Sequence, residues 1–270
     1  MPNIDDSYFE QLCYYSDYYE KNDYPPRDYL FFGQHNADQY LTHFTQKYNL
    51  SRYITNNQDT TVANLLRWTY EVLLHQDYVE NTVLYANSLD MIEFSKANKV
   101  TLNCYCHAYI FRDALQSVNI SARLVYCLPI NCSFKGNHVV VEYYNNVEDR
   151  WILADPTYNI FISDQNNRFL SLLEFRNNII SRKIIGIIDN NRFSKIQIST
   201  VDYSLTTNSY ISMMIPLLVV LQYENITAHG ITQYRLIPKR YLLPKVSLTE
   251  DNISYVHSYT LLYEIGDCNE

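Results

Sequence analysis

Asn137-His138-Val139-Val140-Val141-Glu142-Tyr143-Tyr144-Asn145-Asn146-Val147-Glu148-Asp149-Arg150-Trp151-Ile152-Leu153-Ala154-Asp155-Pro156-Thr157 is two apolar, β-branched and aromatic runs around a polar turn, the pattern of an antiparallel hairpin. The first run opens on His138 and the second closes on Asp155. A register that sets these two directly opposite each other also sets Val140 opposite Leu153, with Asn145 to Arg150 as the turn. Directly opposed Cβ atoms lie ~4.5–5.5 Å apart, within reach of an imidazole–carboxylate hydrogen bond. A slip of one residue would send the two side chains to opposite faces, so the pairing is a sharp expectation.

Upstream, from Thr101 to Leu115, the small and apolar residues Ala108, Phe111 and Leu115 recur at helical spacing behind Cys104. The spacing predicts a helix that begins at Cys104, with Asn103 as its N-cap. Unsatisfied N–H groups and the dipole at a helix head stabilise a thiolate, and the thiolate is the nucleophile. The same N–H groups, that of Cys104 included, can receive the oxyanion of a tetrahedral intermediate. If Asp155 fixes the tautomer of His138, the second ring nitrogen faces Cys104, as nucleophilic cysteine catalysis requires. The candidate catalytic residues are therefore Cys104 as nucleophile, His138 as base and Asp155 as the orienting carboxylate. Cys106 and His107 suggest a metal ligand set with Cys104. Cys-x-Cys-His without a second ligand pair at zinc spacing favours structural roles, and neither a metal nor an organic cofactor is expected.

Around this centre, Thr61 to Leu74 places Leu65, Trp68 and Val72 on one helical face, with Asp59 or Thr60 as cap. Leu89 to Ala97 is a shorter helical stretch, and Ala122 to Cys127 reads as a strand. The capping box Ser171-Leu172-Leu173-Glu174 starts a helix that runs to Ile180. Beyond Asn190 the pattern is β-rich, with Ser194 to Tyr203, Ile231 to Ile237 and Tyr255 to Glu264 as strands, and Pro238 and Pro244 at ends or edges. The expected architecture is α+β: a helical N-terminal region (1–98), a catalytic core (99–190) and a β-rich C-terminal region (191–270). No linker separates them, so a single compact domain is the alternative.

With 47% hydrophobic and 19% charged residues, the 270-residue chain has the profile of a soluble globular protein. Its formal charge of −8 and lack of a basic cluster exclude nucleic acid and anionic membranes as partners. The glycines, Gly33, Gly136, Gly186, Gly230 and Gly266, form neither a phosphate-binding loop nor a Gly-x-Ser-x-Gly elbow, which removes nucleotide-dependent and serine-hydrolase readings. The scattered Cys13, Cys104, Cys106, Cys127, Cys132 and Cys268 do not resemble a disulfide framework and fit a reducing compartment. Met1-Pro2-Asn3-Ile4-Asp5-Asp6 lacks the charged and apolar regions of a secretory signal. The longest apolar run, Ile211 to Leu221, is broken by Pro216 and is far short of the ~20 residues that span a bilayer. A cytoplasmic location is expected.

The motifs taken together resemble the transglutaminase-like core. In that family the nucleophile is followed four positions on by alanine, and an Ala-Arg pair ends the turn after the helix. Cys104, Ala108 and Ala122-Arg123 match both features, which selects Cys104 over Cys106, and the closing Trp-x-x-x-Asp-Pro-Thr is matched by Trp151, Asp155, Pro156 and Thr157. Asp164, Phe169 to Glu174, Arg176 and Leu236-Ile237-Pro238-Lys239 continue the likeness to bacterial members more weakly. Where the family commonly has glycine before the nucleophile this chain has Asn103, which bears on the oxyanion geometry. The family's side-chain oxyanion donor, where there is one, lies upstream; Trp68 is considered for it here, against a core role. Arg123 is read either as a ligand for a substrate carboxylate or as a conformational support beneath the site. The resemblance implies a papain-like fold in which the Cys104 helix packs on an antiparallel sheet bearing His138 and Asp155. It also implies cysteine-dependent acyl transfer or hydrolysis at an amide or thioester carbonyl through an acyl-enzyme. The acyl donor would be a peptide, a protein or a carrier-bound thioester. Water as acceptor makes a peptidase or amidase, a protein lysine makes a crosslinking transglutaminase, and a small amine makes an amide synthase. The rival from another class is a non-catalytic peptide- or protein-binding member of the same fold.

Overall fold

The computed structural model describes residues 6–16, 37–73, 77–78, 87–130, 136–190, 206–227, 230–236 and 253–256. In chain order the elements are α1 (Asp6–Tyr14), α2 (Ala37–Tyr48), α3 (Gln58–Val72), β1 (Asp77–Tyr78), α4 (Ser88–Asn98), β2 (Val100–Thr101) and α5 (Cys104–Gln116). There follow β3 (Ala122–Leu128), β4 (His138–Asn145), β5 (Arg150–Asp155), β6 (Ile160–Asp164), α6 (Leu172–Ile180), β7 (Ile185–Asp189), α7 (Thr207–Met214), β8 (Val220–Thr227), β9 (Gly230–Leu236) and β10 (Ile253–Val256). The architecture is α+β, helical towards the N-terminus and sheet-rich towards the C-terminus.

Short polar side chains set the helix starts. The Asn57 side chain accepts the Thr60 N–H at 2.8 Å at the head of α3, and Asn103 accepts the Cys106 N–H at 3.1 Å at the head of α5. At α6 the capping box of Ser171 and Glu174 is closed in both directions. The cap of α3 is thus Asn57, not Asp59 or Thr60: a cap must sit outside the helix in extended backbone, as Asn57 does (φ −112, ψ 121). Asparagine and aspartate also make turns that glycine makes elsewhere. Asn119 (φ 63), Asp149 (φ 53) and Asn159 (φ 55) take the left-handed region in the connections α5–β3, β4–β5 and β5–β6, a conformation these two residue types tolerate best after glycine.

The large sheet has the order β10-β9-β8-β3-β4-β5-β6-β7, antiparallel except for the β9–β10 pair. β8 docks beside β3, so strands from the far end of the chain extend the same sheet that carries the hairpin. Both faces of its central strands are covered. Leu124, Val139, Val141, Ile152 and Ala154 share a core with the α2–α5 side chains Phe44, Leu65, Leu66, Ile92 and Phe111. On the other face Val125, Cys127, Val140 and Leu153 pack with Leu12, Leu172, Phe175, Tyr210 and Met214 from α1, α6 and α7. Burial on both sides explains why β4 and β5 read as unbroken apolar runs and not as alternating ones.

The hairpin register differs by two residues from the sequence expectation. The β4–β5 pairs are Val141–Ala154, Glu142–Leu153, Tyr143–Ile152, Tyr144–Trp151 and Asn145–Arg150, so Leu153 faces Glu142 and not Val140. The ladder runs out to Asn145–Arg150 and leaves a four-residue loop, 146–149, where the expected register would leave two; the Asn145 side chain accepts the N–H groups of both Val147 and Glu148 at 2.9 Å, and Asp149 turns left-handed, which closes that loop. His138 therefore is not directly across from Asp155. An even shift preserves the face, however, and the two side chains still project to the same side of the sheet. The apolar run from Ile211 spans the end of α7, a 3-10 turn (Ile215–Leu217) and the start of β8, none of which the sequence reading placed. It likewise did not separate β6 and β7. The expected strand at Ser194 to Tyr203 lies outside the described residues, as does the part of Tyr255 to Glu264 beyond β10. Among the described residues no helix is long and apolar enough to cross a membrane.

Candidate active site

Three elements distant in sequence converge. α5 presents Cys104 as its first residue, β4 opens on His138 and β5 closes on Asp155. Gly136, at φ +87, takes the backbone turn just before β4 that a residue with a Cβ would strain. No ladder pair joins β4 to β5 beyond Val141–Ala154, so the first residues of β4 are free of β5. There the imidazole, on the α6–α7 face of the sheet, meets the sulfur brought by α5 from the other face.

His138 Nε2 lies 2.6 Å from Asp155 Oδ2, the distance of a charge-assisted hydrogen bond. His138 also hydrogen-bonds the Cys104 thiol, and the Val139 N–H donates to the same sulfur. With Nε2 committed to the carboxylate, Nδ1 is the nitrogen left for the sulfur. Asp155 is fully buried and is held at both oxygens. Its Oδ2 also accepts Tyr210 Oη at 2.8 Å, and its Oδ1 accepts the Thr157 N–H at 3.0 Å. Pro156 has no N–H, so that of Thr157 is the first available, and the Asp-Pro-Thr run becomes a turn that locks the carboxylate plane.

Burial pushes the Cys104 thiol up, but the hydrogen bond and charge of His138, helped by the Val139 N–H, outweigh it and leave the pKa below its ordinary value. For His138, burial disfavours the imidazolium; the charge and hydrogen bond of Asp155, then Cys104, prevail and push it up to about 10. The two shifts agree in direction: both favour a thiolate beside an imidazolium over the neutral pair. Burial likewise works against the Asp155 carboxylate, and His138 overcomes it, followed by Tyr210 and Thr157, so that it titrates below its ordinary value. The head of α5 adds to this. Asn103 takes the Cys106 N–H, while the N–H groups of Cys104 and Tyr105, in the first turn, have no partner within the helix. Cys104 is only half-buried, whereas His138 and Asp155 are closed off, so a reagent reaches the sulfur first.

The neighbouring candidates take structural places. Cys106 is buried in the core beneath α5, where burial pushes its thiol up to about 12. Cys127 pairs with His138 across β3–β4, and burial holds its thiol well above the ordinary value. His107, pushed down to about 4 by burial, donates to the Pro156 carbonyl and so ties α5 to the turn that follows Asp155. Arg123 is buried against Glu142 at 2.6 Å and lies over the Trp151 ring, 3.9 Å from its centroid. Glu142 in turn accepts the Leu172 N–H at the head of α6 at 2.9 Å. Of its two readings Arg123 therefore follows the conformational one. Trp68 packs edge-on to Phe44 and tilted against Tyr48 in the helical core, in keeping with the core role of its two readings. Sequence reasoning missed Tyr210. It lies 55 residues from Asp155, on a helix the sequence reading did not place, and is one of 27 tyrosines, so no local signal marks it.

Residues 48–156 match the family model of the transglutaminase-like superfamily. No curated protein matches the sequence. Among solved structures, a candidate cysteine protease from Cytophaga hutchinsonii aligns with 60% of this chain and 50% of its own at 16% identity and a TM-score of 0.34. The periplasmic domain of TgpA from Pseudomonas aeruginosa aligns with 67% of this chain and 54% of its own at 16% identity and a TM-score of 0.30. The chain thus spans about half the length of each of these structures. The segment that matches the transglutaminase-like superfamily model is the one that carries Cys104, His138 and Asp155.

Proposed function

We propose that the chain catalyses acyl transfer or hydrolysis at an amide or thioester carbonyl through an acyl-enzyme on Cys104. The observation that supports this most is the 2.6 Å bond from His138 Nε2 to Asp155 Oδ2, with the ring's other nitrogen turned to a thiol at a helix head. The thiolate attacks the carbonyl carbon, and the oxygen takes up negative charge beside the N–H groups of Cys104 and Tyr105. As the intermediate collapses, the His138 imidazolium gives its proton to the leaving amine or thiol. Water or an amine then adds to the acyl-enzyme, with neutral His138 taking its proton, and departure of the product restores the ion pair. Asp155 stays ionised throughout and holds the ring. No step calls for a cofactor. A peptide, a protein or a carrier-bound thioester is the proposed acyl donor, and a reducing, cytoplasmic setting suits an unblocked thiol.

Intact-mass spectrometry of the protein exposed to p-nitrophenyl esters of several acyl groups tests this. The wild type should gain one acyl group, Cys104→Ala none, and His138→Ala should acylate roughly 10²–10⁴-fold more slowly, the usual share of a general acid–base group. No adduct on the wild type with any ester would overturn the proposal, and retained affinity of Cys104→Ala for a peptide ligand would then favour the binding module.

A further inference from the structure

We propose that Tyr210 is a positioning residue of the site: by donating to Asp155 Oδ2 it draws charge from the carboxylate and keeps the His138 imidazolium acidic enough to protonate a leaving group. The inference rests on the acyl-transfer reading above and adds a residue from outside the segment matched to the superfamily. The geometry is specific. Tyr210 Oη is 2.8 Å from Oδ2, the oxygen that His138 Nε2 contacts at 2.6 Å. Two donors thus compete for one oxygen, and each weakens the hold of the other. Oδ1 is taken separately by the Thr157 N–H at 3.0 Å, so the carboxylate plane stays fixed if the hydroxyl is removed. What changes is the charge left for the imidazolium.

The hydroxyl is placed by packing. Tyr210 is fully buried on α7; its ring stands edge-on to Tyr158 (5.8 Å, 87°) and tilted against Phe175 at 6.1 Å. Tyr158 lies 5.8 Å from the His138 ring and donates to Met213 Sδ at 3.3 Å, so α7 grips the back of the site at two points. The titratable groups facing the His138–Asp155 pair are Cys104 and His107 from α5, Cys127 from β3, Tyr158 after β5 and Tyr210 itself. Burial keeps His107 neutral down to about pH 4 and holds Cys127 and Tyr210 protonated well above their ordinary values. Cys104 is the member of this set that hydrogen-bonds the His138 ring alongside Asp155.

The experiment follows the ring nitrogens of His138 by NMR in protein labelled with [15N]histidine, titrated from pH 5 to 11. In Tyr210→Phe, which keeps the ring packing, the imidazolium midpoint should move upward by roughly half a pH unit or more, as expected for losing one hydrogen bond to a charged group. Incorporating 3-fluorotyrosine at position 210 strengthens the donor and should move the midpoint downward, and it tests the inference even if Tyr210→Phe does not fold. On an Asp155→Asn background neither change should move it. Midpoints that stay within error of the wild type, or that move the same way in both variants, would mean that Tyr210 only fills space. A wild-type midpoint near the ordinary histidine value would instead overturn the acyl-transfer reading itself.

Discussion

Removing the sulfur should change how stability depends on pH, because the thiolate–imidazolium pair moves a proton rather than gaining one. In the unfolded chain, between pH ~6.5 and ~8.5, the cysteine carries a proton and the histidine does not. In the folded wild type the count is the same, with the proton on His138. Folding then takes up no proton at this site, and the site contributes no slope across that window. In Cys104→Ala the unfolded chain has lost its thiol proton, yet folded His138 still holds one next to Asp155. A group whose folded pKa is raised stabilises fully below its unfolded value and loses that contribution as pH rises through the folded one. Cys104→Ala should therefore lose stability with rising pH at up to about 1.4 kcal/mol per unit, starting near pH 6.5 and levelling off as His138 titrates. His138 is pushed up to about 10 with the sulfur present and lower without it, so the loss accumulated between pH 6.5 and 8.5 is at most about 3 kcal/mol. All other groups titrate alike in the two proteins, so the difference between their urea-unfolding free energies, measured from pH 6 to 10, isolates the site. Parallel profiles would refute the ion pair.

Glu142→Ala should cost roughly 3–5 kcal/mol in urea unfolding, because it strands the buried Arg123 guanidinium and the Leu172 N–H; the pair Arg123→Met/Glu142→Met should recover most of that, and an equal loss in both would contradict the assignment of Arg123 to support. Asn103→Ala removes the acceptor for the Cys106 N–H and should cost about 1 kcal/mol of stability, seen as a lower urea midpoint, together with slower alkylation of Cys104 as the frayed helix head stabilises the thiolate less.

The arrangement of the candidate site was legible in the sequence because it sits in local patterns: an N-cap asparagine before Cys104, an apolar stripe behind it, and two strands beginning at His138 and ending at Asp155. The hairpin register was not, since it depends on how many residues the turn consumes, and the double contact of the Asn145 side chain to Val147 and Glu148 has no counterpart in hydrophobic periodicity. Parity survived the error, which is why the correct pair was found through an incorrect register. The insertion of β8 beside β3 and the approach of α7 to Asp155 are long-range events. Val220 to Tyr223 is buried on both faces and continuous with the apolar end of α7, so periodicity could not divide strand from helix there.

Rates of iodoacetamide labelling at pH 6, read by peptide mass spectrometry, test the central claim most directly. Cys104, half-buried with its thiol held below the ordinary value, should react far faster than Cys106 and Cys127, which are buried with theirs pushed up, and the advantage should vanish in His138→Ala. Labelling of Cys104 at the pace of the other thiols, or unchanged by loss of the imidazole, would contradict an activated nucleophile at this site.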